Sequence, residues 1–119
     1  MLQFYGYPKC STCRKAEKTL KDSGLAFKVF DITREPPSAA LLQKALSSGY
    51  TLKQLYNTSG EMYRELGIRD KIAGMTEAGQ LKLLSENGKL IKRPIVISSD
   101  RVTVGFKEEE FLKAWGLND

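Results

Sequence analysis

Histidine is absent from the chain, and cysteine occurs only twice, as Cys10 and Cys13. A structural zinc site takes about four nitrogen or sulfur ligands, so the pair has nothing with which to complete one and no metal is expected. A disulfide between them would close too short a loop to restrict the unfolded chain much, and would be a poor staple for 119 residues. Nowhere do about eighteen apolar residues follow one another, and residues 1–7 hold neither a basic stretch nor a long apolar one. No membrane span or secretory leader is therefore expected, and the expected compartment is the cytoplasm. Basic runs of about five residues, and basic strands interleaved with aromatics, are also lacking, which argues against direct nucleic-acid binding. No repeat or low-complexity tract interrupts the chain, and 1–119 reads as a single domain, expected to be monomeric.

What is present is ordinary for a globular protein, with 41% hydrophobic and 28% charged residues. The net charge of +5 favours a small anionic substrate or an acidic partner. In a reducing compartment a cysteine pair is more often catalytic or redox-sensing than structural.

The stretch that organises the rest is residues 2–15. Leu2, Phe4 and Gly6 alternate with their neighbours as in a strand, Pro8 ends it, and the spacing of Cys13, Ala16 and Leu20 opens an amphipathic helix. The Cys-x-x-Cys thus falls at a helix N-terminus, where unpaired backbone N–H groups and the helix dipole favour an anion. Cys10 is expected to ionise more readily than a free cysteine and to act as nucleophile, helped by Lys9, Arg14 and Lys15; Cys13, one turn on, is placed to attack an adduct at Cys10. On the residues alone a second reading stays open, in which both cysteines pack as small apolar side chains.

Beyond this stretch, Ser23-Gly24 is a helix stop and residues 25–32 read as a strand, completing a βαβ unit with parallel strands and the cysteines at the carboxyl end of the first. Ser38 is a candidate cap for a helix carrying Leu41, Leu42, Ala45 and Leu46, closed by Ser47-Ser48-Gly49. Short helical pieces follow around Leu52 and Leu55 and around Tyr63 and Leu66, with Asn57-Thr58-Ser59-Gly60 between them and Gly67 as a stop. Thr76 caps a helix through Leu84 that closes at Asn87-Gly88. Residues 95–97 and 101–104 form a hairpin, and residues 108–115 a closing helix with Phe111, Leu112 and Trp115 at core spacing. The expected fold is α/β: a thioredoxin-like, mixed four-stranded sheet with a helical insertion at about 38–88 between strands 2 and 3.

The Cys-x-x-Cys, the Leu90-Ile91-Lys92-Arg93-Pro94-Ile95 segment, Asn57-Thr58-Ser59-Gly60 with Tyr63-Arg64-Glu65-Leu66, and Val104-Gly105-Phe106, in this order, resemble the bacterial arsenate reductase and Spx family, and most of all its small YusI-type branch. The resemblance implies a nucleophilic Cys10 with a cis Pro94 facing it, and an anion-binding set of Arg93, Ser11, Thr12, Arg14 and Pro94. In the arsenate-reducing members arginines from three segments hold the oxyanion. Here the resemblance matches only Arg93, with Asn57 at a second position and Phe106 and Lys107 near the third. No cofactor is implied beyond an external thiol reductant, glutathione with glutaredoxin or thioredoxin. The substrate expected is an oxyanion or a thiol or disulfide. The Spx branch implies instead a regulator that binds the RNA polymerase α subunit, through a surface including a glycine near Gly49, which also reads as a plain helix cap.

Overall fold

The computed structural model describes residues 1–117. Strand β1 (Leu2–Gly6) pairs in parallel with β2 (Phe27–Asp31), from Leu2 opposite Phe27 to Gly6 opposite Asp31. Helix α1 (Ser11–Ser23) makes the crossover between them, buries Cys13, Ala16 and Leu20, and stops at Gly24, whose φ of 79° is left-handed. After the insertion, β3 (Ile95–Ile97) returns antiparallel to β1, and β4 (Val102–Val104) pairs antiparallel with β3. The sheet order is β2-β1-β3-β4, which is the mixed four-stranded, thioredoxin-like sheet expected.

Alternating side chains send the sheet into two separate cores. Phe4 and Val96 face α1 and the closing helix α7 (Glu108–Ala114), packing with Ala16, Leu20 and Phe111. Tyr5, Ile95 and Ile97 face the insertion, where Leu42, Leu55, Leu84 and Leu90 are essentially inaccessible. Burying each leucine contributes about 1.5–3 kcal/mol, so the insertion is the second wall of the fold and not an appendage.

The insertion is built of α2 (Ala39–Ser47), α3 (Leu52–Leu55), α4 (Glu61–Glu65), α5 (Ile68–Ile72), α6 (Glu77–Glu86) and a 3-10 turn over Gly88–Leu90. Ser38 and Thr76 cap α2 and α6, accepting the N–H groups of Leu41 and Gly79 at 3.2 and 3.0 Å, and Thr51 with Gln54 forms a capping box on α3. Three local readings change. The second strand begins at Phe27, because Leu25 and Ala26 lie exposed before the ladder. Gly67 ends α4 but does not end the helical region: at φ 59° it turns the chain straight into α5, whose Ile68 is buried. Leu112 is half-buried, leaving Phe111 as the fully buried side chain of α7.

Gly88 has a role that a helix stop does not describe. A Cβ there would lie 1.7 Å from the backbone oxygen of Ile32, so only a residue without one lets the end of the insertion close on the end of β2.

Candidate functional site

The chain leaves β1 through a tight turn in which the Cys10 N–H donates to the Tyr7 carbonyl at 3.0 Å. Cys10 is the N-cap of α1, with extended backbone, and its sulfur accepts the Cys13 N–H at 3.2 Å. A sulfur thus occupies the capping place that serine or aspartate usually fills, and its ionised form is the better acceptor. Cys13, 2% exposed, lies behind it against the α1 and α7 core.

The two thiols are pushed apart electrostatically. Burial works to raise Cys10, but donation from the Cys13 thiol and backbone N–H, with a hydrogen bond and positive charge from Arg93, outweighs it and holds Cys10 below the ordinary thiol range. Burial first, then donation of its proton to Cys10 and the charge on Cys10, push Cys13 up to about 12. A thiol held low thus lies next to a thiol held high, so of the two Cys10 ionises first.

Arg93 reaches this place from the start of β3, the strand beside β1. Its guanidinium lies 5.0 Å from the centre of the Tyr7 ring, a cation–π stack. The Arg93–Pro94 peptide is cis, Pro94 is buried, and its carbonyl accepts the Gly105 N–H at 2.8 Å.

In front of Cys10 lies an open cleft of about 940 Å³. Its opposite wall is the Asn57–Gly60 turn and α4, held by two short backbone bonds: Asn57 N–H to the Leu90 carbonyl and Lys92 N–H to the Leu55 carbonyl, both 2.7 Å. These clamp residues 55–57 onto residues 90–92, so Asn57, Thr58 and Arg64 share the cleft with Cys10 and Arg93. Phe106 and Lys107, between β4 and α7, close a third side.

Of the expected site residues, the fold brings Cys10, Thr12 and Arg93 to the cleft, with Cys13 and Pro94 buried. Ser11 and Arg14 are exposed and stand off the cleft wall, and Arg14 joins Lys18 and Lys21 on the outer face of α1. The cation acting on Cys10 is Arg93, not the neighbours Lys9, Arg14 and Lys15. Two residues were missed. Tyr7 sits within the organising stretch, but no spacing rule ties an aromatic there to an arginine in a distant strand. Arg64 lies on a helix too short to show a periodic face. Among the described residues no group of three or more His, Cys, Asp or Glu side chains is placed to hold a metal ion.

The ArsC family model matches residues 5–114, nearly the whole of the chain. The chain belongs to the ArsC family. Bacillus subtilis YusI is 49% identical over 96% of this chain and 98% of its own. The Bacillus subtilis regulatory protein MgsR is 32% identical over 94% of this chain and 88% of its own. Among ArsC-like solved structures, one from Streptococcus mutans, described as a possible arsenate reductase, superposes with a TM-score of 0.84 at 40% identity, covering 92% of this chain and 96% of that one.

Proposed function

We propose that the protein is a thiol–disulfide oxidoreductase in which Cys10 attacks and Cys13 resolves. The observation that carries this reading is the Cys10 sulfur at the N-cap of α1, accepting the Cys13 N–H at 3.2 Å and held by Arg93, with a buried, protonated Cys13 behind it. The Cys10 thiolate attacks one sulfur of a substrate disulfide, that S–S bond breaks, and the departing thiolate takes a proton from water. Cys13 then loses its proton and attacks Cys10 in the mixed disulfide, releasing the second substrate thiol. The substrate gains two electrons and two protons, and the protein is left with a Cys10–Cys13 disulfide that glutathione with glutaredoxin, or thioredoxin, reduces.

The test is reduction of 2-hydroxyethyl disulfide, supplied with each reductant in turn. Cys10→Ser abolishes turnover and Cys13→Ser accumulates the mixed disulfide; turnover that survives Cys10→Ser overturns the reading. Arsenate reduction is the less supported chemistry, because Asn57 and Phe106 stand on the cleft walls where further guanidinium groups would be needed, leaving Arg93 alone at the sulfur. Arsenate-dependent turnover with the same two reductants separates the two.

A regulatory reading is favoured by one observation. A groove of about 300 Å³ beside exposed Gly49 shares Tyr50, Gln54, Val104 and Gly105 with the thiol cleft, so a partner seated there touches walls of the redox site. Its test is calorimetric titration of the RNA polymerase α subunit into reduced and oxidised protein, and no heat in either state removes it.

A further inference from the structure

The thiol chemistry uses one cation, Arg93, yet five basic residues line the cleft against two acidic ones, Glu61 and Glu110. Among the described residues none of the five forms an ion pair. Among the described residues the ion pairs are Lys18–Asp22 and Lys21–Glu17, both along α1 and away from the cleft. Arg64 is exposed, and among the described residues the one hydrogen bond of its side chain is a long contact of 3.4 Å from Nη2 to the Ser59 carbonyl, which leaves most of its five donors free. Unneutralised charges in a concave, partly enclosed surface reinforce one another, and the chain's +5 adds to the field around them.

Size argues in the same direction. A tetrahedral oxyanion held by Arg93 would fill only a small part of a cleft of about 940 Å³, a volume at the upper end of the range that encloses ligands of drug size, about 300–1,000 Å³. The distal wall carries polar side chains, Asn57 and Thr58, followed by Arg64. Such a wall suits an extended, negatively charged chain.

We infer that the cleft is built for an acidic polypeptide segment bearing a disulfide, with Arg64 on α4 binding a substrate carboxylate through its planar fork while Cys10 attacks one sulfur of that disulfide and the other leaves as a thiolate. This inference rests on the thiol–disulfide reading above and names its substrate class. Arg64 is then a specificity residue: it sets which disulfide is presented and takes no part in bond making.

The test uses three matched peptides, each with a central cysteine flanked on both sides by Glu, Ser or Lys and activated as the 2-pyridyl disulfide. Attack of Cys10 on the peptide sulfur expels pyridinethione, whose absorbance gives the rate. At low ionic strength the Glu peptide reacts with the parent protein about fivefold or more faster than the Ser peptide, the Lys peptide is slowest, and the spread collapses in about 1 M salt. Arg64→Gln lowers the Glu-to-Ser ratio by about threefold or more, and Arg64→Lys by less, because a point charge replaces a bidentate fork. Arg69→Gln, which removes the same charge from exposed α5 off the cleft, leaves the ratio unchanged. Equal rates for the three peptides, or the same ratio in Arg64→Gln as in the parent, overturn the inference. Relief of the Glu preference by a short single-stranded oligonucleotide, but not by a cysteine-free Glu peptide, would assign the wall to nucleic acid and overturn it too. A parent protein inert toward neutral 2-hydroxyethyl disulfide removes the thiol reading itself, a failure separate from the loss of charge preference.

Discussion

At the scale of single residues, the site depends on three side chains: the Tyr7 ring, the Arg93 guanidinium stacked on it and the Cys10 sulfur on which that guanidinium acts. With its thiol held low, Cys10 alkylation is expected to follow an apparent pKa below the free-cysteine value of about 8.5. Removing Arg93 takes away a donor and a charge that favour the thiolate, so Arg93→Ala moves that midpoint up and slows alkylation at pH 7, and Arg93→Lys does so less. Rate against pH by iodoacetamide labelling checks both, and an unchanged midpoint in Arg93→Ala excludes its role. Tyr7 acts on the sulfur through Arg93. Tyr7→Phe keeps the ring and is expected to keep the midpoint, whereas Tyr7→Leu fills similar space without a π face and shifts it toward that of Arg93→Ala. The linkage to stability has a definite sign. A thiol whose folded pKa is depressed contributes stability that is present above the unfolded value and lost as pH falls through the folded one. The advantage of parent over Cys10→Ser in urea unfolding therefore grows as pH rises through the folded Cys10 midpoint and is complete above about 8.5.

At the scale of elements, the 3-10 turn after α6 must touch the end of β2, and Gly88 is where it does so. Since Gly88→Ala sets a methyl group against a backbone oxygen that cannot swing aside, a loss of about 3 kcal/mol or more is expected in urea unfolding. Gly67→Ala, with open space around it but a left-handed backbone, should cost about 1–2 kcal/mol. Equal effects of the two would show that crowding at Ile32 is not the cause. Much of this level was legible in the sequence. Ser38, Thr76 and Gly24 mark helix ends by side-chain and backbone chemistry that acts within three or four residues. Helix α5 was not legible, because a left-handed glycine ends one helix in the same way whether the chain then leaves or starts another. The close approach of Gly88 to Ile32 was hidden for a different reason: it joins two segments far apart in sequence.

At the scale of the molecule, the sheet separates two cores and leaves the sulfur pair at one end of it. Cys13 is buried, so its sulfur is shielded from solvent behind Cys10. Mild peroxide should convert the parent to a monomer lighter by about 2 Da, through an internal Cys10–Cys13 disulfide, while Cys13→Ser, with Cys10 at the cleft rim, should yield linked dimers or a persistent sulfenic acid. Intact-mass spectrometry decides, and a parent that gives only dimers refutes the internal bridge. No helix among the described residues is long and apolar enough to cross a membrane.

The sequence alone determined that a cysteine pair begins a helix after a strand, because strand alternation, Pro8 and the Cys13, Ala16, Leu20 spacing all act within one short segment. It also determined the order of the four strands and of the helices other than α5 and, through the resemblance, pointed to Arg93. Only the tertiary structure decided which cation serves Cys10, that Tyr7 carries it, and that Arg64 shares the cleft. Arg93 stands beside Cys10 because the β2-β1-β3-β4 order makes β3 the neighbour of β1, and Arg64 faces them because two backbone bonds clamp residues 55–57 onto residues 90–92. Both are contacts between segments that local propensity treats as unrelated, so their chemistry exists only once the chain has closed on itself.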